Sequence, residues 1–304
     1  MPVARNQKLL GFTVAGTLLA FTATPAFAVC SALSDSYAAF EADDVEAGRA
    51  ALAAAESHDD CFAEDVAMAQ RMIGVIQFNA IADQVVAGAP LEDFAEELDA
   101  IRKQGAPWQV YDALGDIAKG RKDYTSAGEF YLIALEEASD PARTPDFIAP
   151  DEAYILHLDK AATEMRLAAD TPPRLSIRGG CKVNFRGVKI QKKTTPIRFE
   201  FNDTAFTEQG LVAADELLTC LKTADADYIT LIGHTDPSGP DYYNLDLSLR
   251  RAQATADYLY EHGFAGHIDV EGKGETELFQ PDDPTAYTQD QLFQMHRRVD
   301  VIMK

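Results

Sequence analysis

The feature that most constrains the fold is a change of pattern at Asp170-Thr171-Pro172-Pro173. Before these prolines, residues 31–170 are rich in Ala, Leu and Glu, and apolar residues recur at three- and four-residue steps, which predicts helices. After them, short runs of alternating apolar and polar residues are typical of strands. Because paired prolines cannot continue a helix, we predict a domain border at this point.

One helical segment resembles a tetratricopeptide repeat. Its small and aromatic positions are Gly115, Ala127, Tyr131 and Ala134. A step of about 34 residues leads to Ala161, Met165 and Ala168, which fit the second helix of a further repeat. The resemblance implies an irregular all-α solenoid over residues 29–171 with a groove for a protein partner. The alternative is a spacer whose acidic face is only solvated.

The second half of the chain predicts strands and helices in alternation. The predicted elements are a strand at 197–201, a helix at 207–222, a strand at 228–233, a helix at 243–262 closed by Gly263, and strands at 267–271 and 299–303. Residues 172–195 are predicted as a linker, with 178–195 as a possible extra hairpin. The apolar side chains assigned to the core are Phe199, Phe201, Leu245, Leu249, Ala252, Ala256 and Leu259.

A set of motifs identifies the family that this half resembles. The motifs are Phe199-x-Phe201-Asn202, Gly233-His234-Thr235-Asp236-x-x-Gly239, Tyr243-Asn244-x-x-Leu247-Ser248-x-x-Arg251-Ala252, Gly272-x-Gly274-Glu275 and Arg297-Arg298-Val299-Asp300. Together they resemble the OmpA-like C-terminal domain, which also occurs in peptidoglycan-associated lipoproteins and flagellar stator proteins. The resemblance implies a βαβαββ domain over 196–304, with a small mixed sheet and helices on one face. The whole chain is then of the α+β class.

Two charged residues of these motifs suit a zwitterionic ligand. Asp236 follows a strand in a loop with Gly and Pro, so we expect its carboxylate at the edge of the sheet. Asn244 and Arg251 are seven residues apart, which places them within about 20° on one helix face. The family resemblance implies that Asp236 binds the ammonium of meso-diaminopimelate, a peptidoglycan amino acid, while Arg251 binds its carboxylate through two parallel N–H bonds.

The resemblance assigns three further residues to this cleft: Asn202, Asn244 and Leu247. Asn202 stands where the family more often has Asp, which weakens a contact with a cation. His296 stands where Asn usually precedes the Arg pair. We therefore do not expect Arg297 and Arg298 to contact the ligand.

The N-terminus has the order of a secretory signal peptide. Basic residues precede an apolar run over 9–21, and small residues lead to Ala28. The run is short for an uncleaved membrane anchor, which is the alternative. Val29 makes a poor lipobox before Cys30. We predict cleavage after Ala28, no membrane span in the mature chain, and a periplasmic protein that associates with the outer membrane or cell wall.

The cysteine count fits an exported protein. Cys30, Cys61, Cys181 and Cys220 allow three pairings, and we favour Cys30–Cys61 with Cys181–Cys220 because each bridge then stays inside one candidate domain. Free buried thiols are the less favoured alternative. Because there is no C-x-x-C spacing and the histidines are scattered, we predict no metal site and no cofactor.

Charge and missing catalytic groups narrow the function. Residues 29–171 hold 29 acidic and 10 basic side chains, and the chain has a net charge of −22, which disfavours nucleic acid as a partner. A peptidoglycan-cleaving enzyme would need an activated nucleophile, a metal or a carboxylate pair, which we do not find. A cation opposite Asp236 would also lower its pKa and make it a poor acid. We predict non-catalytic peptidoglycan binding; a scaffold without that affinity is the alternative.

Overall fold

A computed structural model describes residues 30–173, 184–185, 187–189 and 192–303, so the predicted signal peptide lies outside the described residues. The described chain divides into two compact units. The first ends at Leu114 and also includes Ala142–Ala149, while the second comprises Gly115–Pro141 and everything from Pro150 onward. These units cut across the helical half of the chain. The borders at 171 and 196 therefore remain a prediction drawn from sequence patterns.

The first unit is built from helices, as the apolar periodicity predicts. They are α1 Ser31–Glu41, α2 Val45–Ser57, α3 Ala63–Val86, a 3-10 turn Leu91–Phe94, α4 Ala95–Arg102 and the first half of α5 Trp108–Gly120. Asp44 caps α2 by accepting the N–H of Ala47 at 3.0 Å. The Trp108 indole is buried and donates to the carbonyl of Ile148 at 2.9 Å. No helix of the described chain is long and apolar enough to cross a membrane.

A disulfide closes the start of the first unit. It joins Cys30, which precedes α1, to Cys61, which precedes α3, as the favoured pairing predicts. Cys30 is buried with Ala32 and Ala55. Cys220 is also disulfide-bonded. Its predicted partner, Cys181, lies outside the described residues.

The second unit begins with the remaining half of α5, followed by α6 Tyr124–Ser139 and α7 Glu152–Ala168, with a 3-10 turn Asp146–Ile148 of the first unit between them. A Cβ atom on Gly115 would lie 2.6 Å from the ring of Tyr131, so only glycine fits there. The repeat resemblance implies this packing, in which small residues let two helices approach and an aromatic side chain fills the gap between them. The residues predicted for the further repeat, Ala161, Met165 and Ala168, are buried in α7.

The described residues in the rest of the second unit form two sheets. A small hairpin pairs β1 Asn184–Phe185 with β2 Val188–Lys189. The larger sheet has the order β3-β6-β4-β5 and consists of β3 Lys192–Thr195, β4 Tyr228–Gly233, β5 His267–Gly272 and β6 Val299–Met303. Only the pair β4–β5 is parallel. This small mixed sheet confirms the predicted α+β class.

Three helices complete this part of the second unit: α8 Glu208–Thr223, α9 Asp241–Glu261 and α10 Gln289–His296. A 3-10 turn, Pro284–Ala286, precedes α10. Thr207 caps α8 by accepting the N–H of Gly210 at 3.0 Å. Gly263 follows α9 with a φ of +89°, as predicted for a cap. The core lies between these helices and the sheet, with Leu217, Leu259 and Val301 among its buried members.

The first predicted strand is wrong. The edge strand is β3, Lys192–Thr195, which the sequence placed in the linker, while the predicted strand at 197–201 contributes only an isolated bridge between Phe199 and Phe206. Phe201 is 97% exposed and is not a core residue. The chain leaves the extended conformation here because Asn202 has a φ of +60°, a left-handed geometry that Asn tolerates better than most residues. The extra hairpin predicted within 178–195 is present as β1–β2.

Of the five α9 residues predicted for the core, two are wrong. Ala252, Ala256 and Leu259 are buried, but Leu245 and Leu249 are 51% and 43% exposed. In the N-terminal half of α9, polar side chains face inward instead. The reason is that this half lies over the ends of strands rather than over their apolar faces. A Cβ on Gly233, the last residue of β4, would lie 2.1 Å from the Ser248 carbonyl oxygen.

Candidate functional site

The loop between β4 and α9 positions Asp236. His234 N donates to the Arg298 carbonyl at 3.0 Å and Thr235 N donates to the Gly274 carbonyl at 2.9 Å, which holds the chain beyond the strand end. The backbone N–H of Ser238 then donates to Asp236 Oδ1 at 2.9 Å. The carboxylate therefore stands just beyond the end of β4, where the sequence led us to expect it.

Asp236 makes an ion pair that the sequence analysis missed. Arg297 Nη1 lies 2.6 Å from Asp236 Oδ2, and the side chains are 42% and 13% exposed, respectively. The pair follows from the register of the sheet and not from a local sequence pattern. The antiparallel register of β4 and β6 sets Gly233 opposite Val299, so the residues that follow β4 run beside those that precede β6.

The pKa of Asp236 reflects its partners. Burial of the carboxylate raises its pKa, but hydrogen bonds from Ser238 and Arg297 outweigh burial and hold the pKa below its usual value. A lowered pKa is the direction expected for a carboxylate that faces a cation. The cation responsible, however, is Arg297 rather than Arg251.

Arg251 is buried, and one side of its guanidinium is occupied by backbone. Nε donates to the Asp203 carbonyl at 3.0 Å and Nη2 to the Glu200 carbonyl at 3.2 Å. The group also lies 5.1 Å over the ring of Phe199. Paired N–H bonds to a ligand cannot come from the Nε side, so a ligand carboxylate would have to approach the Nη1 end.

Three charges interact in this region. Burial and, to a smaller extent, the positive charge of Arg297 lower the pKa of Arg251 to about 10, although Asp236 opposes both effects. The carboxylate thus lies close enough to Arg251 to favour its charged form. One anionic and two cationic groups meet at the same edge of the sheet.

The other residues assigned to the cleft are Asn244, Leu247 and Asn202. Asn244 Nδ2 donates to the carbonyls of Asp236 and Ser238, at 3.2 and 3.3 Å, and also to the carboxylate of Glu275. Leu247 is buried on the same face of α9. Asn202 lies at the loop surface, where its side-chain oxygen accepts a hydrogen bond from the Tyr243 hydroxyl.

A second carboxylate lies beneath the site. Asp300 in β6 is fully buried and has four partners: His234 at 3.0 Å, Lys192 at 2.7 Å, Arg298 at 3.2 Å and the Thr194 hydroxyl at 2.8 Å. Burial raises its pKa, but the contact with His234 and the charge of Arg298 outweigh burial and leave the pKa below its usual value. Arg298 therefore belongs to the interior of the sheet, where it pairs with Asp300.

Two buried polar atoms border Asp236 and Arg297 along the chain. Thr235 Oγ1 and His296 Nδ1 make no hydrogen bond within the described part of the chain. Among those residues, no group of three or more His, Cys, Asp or Glu side chains is arranged to hold a metal ion. The charges at this edge are instead arranged so that a small molecule with an amine and a carboxylate could meet opposite charges.

Comparison with known proteins agrees with the motifs. Residues 198–289 match the OmpA family. Outer membrane protein A of Shimwellia blattae is 39% identical over 83 residues, which cover 26% of this chain and 34% of that protein. The protein of the same name from Serratia marcescens is 36% identical over 84 residues, 27% of this chain and 23% of its own length. The chain thus spans about a third or less of these relatives.

Two solved structures are also similar to a part of the chain. The peptidoglycan-associated lipoprotein from Burkholderia pseudomallei is 21% identical, with a TM-score of 0.30 and coverage of 38% of this chain and 92% of that one. The cell wall anchor of the T6SS from Pseudomonas aeruginosa is also 21% identical, with a TM-score of 0.29 and coverage of 37% and 80%.

Proposed function

From the OmpA-like domain that residues 198–289 form, we propose that this protein binds peptidoglycan without cleaving it, through the meso-diaminopimelate of the stem peptides. The observation that carries the proposal is the placement of both charges along the N-terminal half of α9: Asn244 donates to the Asp236 carbonyl at 3.2 Å, and Arg251 is buried seven residues later on the same helix face. Diaminopimelate ends in an ammonium and a carboxylate on one carbon atom. A carboxylate and a guanidinium that interact with each other match both ends of such a head group.

Each charge has a defined role in this proposal. The ligand ammonium binds Asp236 Oδ2, where it replaces or shares the contact now made by Arg297 Nη1. The ligand carboxylate binds the Nη1 end of Arg251. Each charge-assisted bond contributes roughly 1.5–3 kcal/mol. Two such bonds predict an affinity on the order of micromolar to millimolar, which many repeats along a polymer can still convert into firm attachment.

The remaining cleft residues orient these charges. Asn244 fixes the Asp236 loop through two carbonyl contacts, and Leu247 is buried on the same helix face. Asn202 borders the cleft through Tyr243. Because Asn202 is neutral, Asp236 is left as the principal site for the ammonium.

The proposed location follows from the predicted export signal and the relatives. We place the mature protein in the periplasm, associated with the outer membrane or the wall, since the relatives with 36–39% identity are outer membrane proteins. The helical residues 29–171 are the part of the chain that we propose binds a protein partner.

A scaffold that lacks peptidoglycan affinity is the second candidate. The ion pair between Asp236 and Arg297 favours it, because this pair already satisfies the carboxylate without a ligand. The two candidates differ in one measurable property, which is whether the intact protein binds the wall.

Co-sedimentation with purified sacculi tests the proposal. We expect the wild-type protein to pellet with sacculi, and Asp236→Asn to remain in the supernatant because the neutral amide cannot hold an ammonium. Asp246→Asn is the matched control. Like Asp236, Asp246 pairs with an arginine, in its case Arg250, but this pair is exposed on α9. Wild-type protein left in the supernatant would refute wall binding, and Asp236→Asn that pellets like wild type would refute the site.

Arg251 needs a separate variant because it also supports the 200–203 backbone. Arg251→Ala would remove both hydrogen bonds to that loop, so lost binding could reflect a disordered loop. Arg251→Lys keeps a positive charge but lacks the planar guanidinium. We expect Arg251→Lys to bind sacculi more weakly than wild type and to unfold at a similar denaturant concentration.

A further inference from the structure

An exposed phenyl ring stands beside the proposed cleft. Phe201 is 97% exposed, whereas Phe199, two residues earlier, is partly buried beneath the Arg251 guanidinium. An aromatic ring so exposed leaves nearly all its apolar area in water. A single exposed apolar side chain is common on protein surfaces, so it is the position of this ring beside the proposed cleft that makes it a candidate contact.

The backbone that carries this ring is fixed. Arg251 donates to the carbonyls of Glu200 and Asp203, which lie on either side of Phe201. Glu200 N donates to the Ala205 carbonyl at 2.8 Å, and Asp203 Oδ1 accepts from the backbone of Thr204 and Ala205. A ring held on such a turn loses little conformational freedom when it binds, so the contact is favourable even for one side chain.

The stem peptide limits what can reach this ring. In peptidoglycan, two residues separate diaminopimelate from the muramyl sugar, a span of about 7 Å when extended. The guanidinium proposed to hold diaminopimelate also contacts both carbonyls that flank Phe201 and Asn202. The ring is therefore carried by the same turn that the proposed diaminopimelate-binding side chain contacts, next to the site from which the stem peptide leads to the sugar.

The surrounding charge favours a sugar over a membrane. The exposed acidic residues Glu200 and Asp203 flank the ring, and Asp241 and the exposed Tyr242 begin the neighbouring helix α9. Anionic lipid headgroups would be repelled by these carboxylates. A pyranose ring is uncharged on its C–H face, which can lie flat against an aromatic ring.

We propose that Phe201 stacks on a sugar ring of the glycan strand, so that the domain contacts both the peptide and the glycan of the wall. This inference rests on the proposed stem-peptide site and adds a second contact to it. It explains why an apolar residue is presented at the tip of a turn that the Arg251 side chain fixes.

Calorimetry with two soluble probes tests the stacking contact. The probes are the free tripeptide L-Ala-γ-D-Glu-meso-diaminopimelate and the same tripeptide on the GlcNAc-MurNAc disaccharide. We expect the wild type to bind the disaccharide probe more tightly, by roughly two- to tenfold. Phe201→Ala should remove this difference and leave the affinity for the free tripeptide unchanged. Phe62→Ala, which removes an exposed ring of the first unit, is the matched control.

The outcomes separate the two proposals. Asp236→Asn should weaken both probes equally and leave their ratio intact. If wild type binds both probes and Phe201→Ala keeps the wild-type ratio, the stacking contact is refuted while the stem-peptide site stands. If neither probe binds wild type, the proposed function and the stacking contact both fail. Loss of binding to phosphatidylglycerol vesicles in Phe201→Ala, with an unchanged probe ratio, would assign the ring to a membrane instead.

Discussion

Glu164 and Asp236, two carboxylates of the second unit, have similar partners but different access to solvent. Glu164 in α7 is fully buried and accepts from the Tyr287 hydroxyl at 2.6 Å, from Lys119 at 3.1 Å and from Asp282 N at 2.8 Å. Asp236 is partly exposed, and its partner Arg297 is more so.

The difference in burial assigns different roles to the two carboxylates. A ligand cation can replace Arg297 at Asp236 because both side chains reach solvent. Nothing can displace the partners of Glu164 without opening the contact between α7 and the segment before α10. The buried ion pair at Glu164 is therefore structural, whereas the solvent-accessible pair at Asp236 can exchange its cation for a ligand.

The largest effect is expected at the buried carboxylate. Glu164→Ala should lower the free energy of unfolding of the second unit by about 3–5 kcal/mol, because Lys119 and the Tyr287 hydroxyl lose their shared partner. Denaturant unfolding monitored on that unit measures this loss. Glu129→Ala, an exposed glutamate on α6, should change stability little. Similar losses in the two variants would remove the distinction drawn from burial.

A smaller effect is expected when one partner of Glu164 is removed. Tyr287→Phe deletes only the hydroxyl and should cost roughly 1.5–3 kcal/mol, the contribution of a hydrogen bond to a charged group. Burial and the hydrogen bond to Glu164 both raise the pKa of Tyr287, so its hydroxyl remains a donor at alkaline pH. Tyr242→Phe is the control because Tyr242 is exposed. If Tyr287→Phe leaves the free energy of unfolding unchanged, then Lys119 and the backbone N–H of Asp282 alone satisfy the carboxylate.

Asp236 should matter less for stability than for binding. Asp236→Asn should cost below about 1 kcal/mol at pH 7, because the pair with Arg297 is screened by solvent. The pKa of Asp236 is lowered in the fold, so its contribution is present above the unfolded pKa of about 3.9 and is lost as the pH falls through the folded pKa. Unfolding of both proteins between pH 7 and pH 3 should show the difference shrinking on acidification. A difference that grows instead would contradict the lowered pKa.

The smallest expected effect is a shift in the pKa of Asp236. Arg297→Ala should raise the pKa of Asp236, since a hydrogen bond and a positive charge that favour the carboxylate are removed. The carboxyl carbon resonance of Asp236, followed through a pH titration, measures this shift. Arg250→Ala removes an exposed arginine that pairs with Asp246 and should leave the pKa of Asp236 unchanged. Equal titration curves in all three proteins would show that Arg297 does not hold Asp236 in solution.

The sequence predicted the elements whose pattern is local. Strands 228–233 and 299–303 match β4 and β6, and the helices predicted at 207–222 and 243–262 differ from α8 and α9 by one or two residues at each end. The strand predicted at 197–201 failed because an alternating pattern does not reveal that the chain turns at Asn202. The prediction that Leu245 and Leu249 are core residues was wrong because the burial of a helix face depends on what packs against it, which a sequence pattern does not show.

The sequence by itself determined the helical and mixed halves, the family of residues 198–289 and the placement of Asp236 at the end of a strand, because these depend on residues close together in the chain. Only the tertiary structure decided which cation Asp236 meets and which donors of Arg251 are already used. Arg297 and Asp236 are brought together by the pairing of β4 with β6, and that register depends on the packing of the whole sheet. Contacts of this kind join residues far apart in sequence, so no local pattern specifies them.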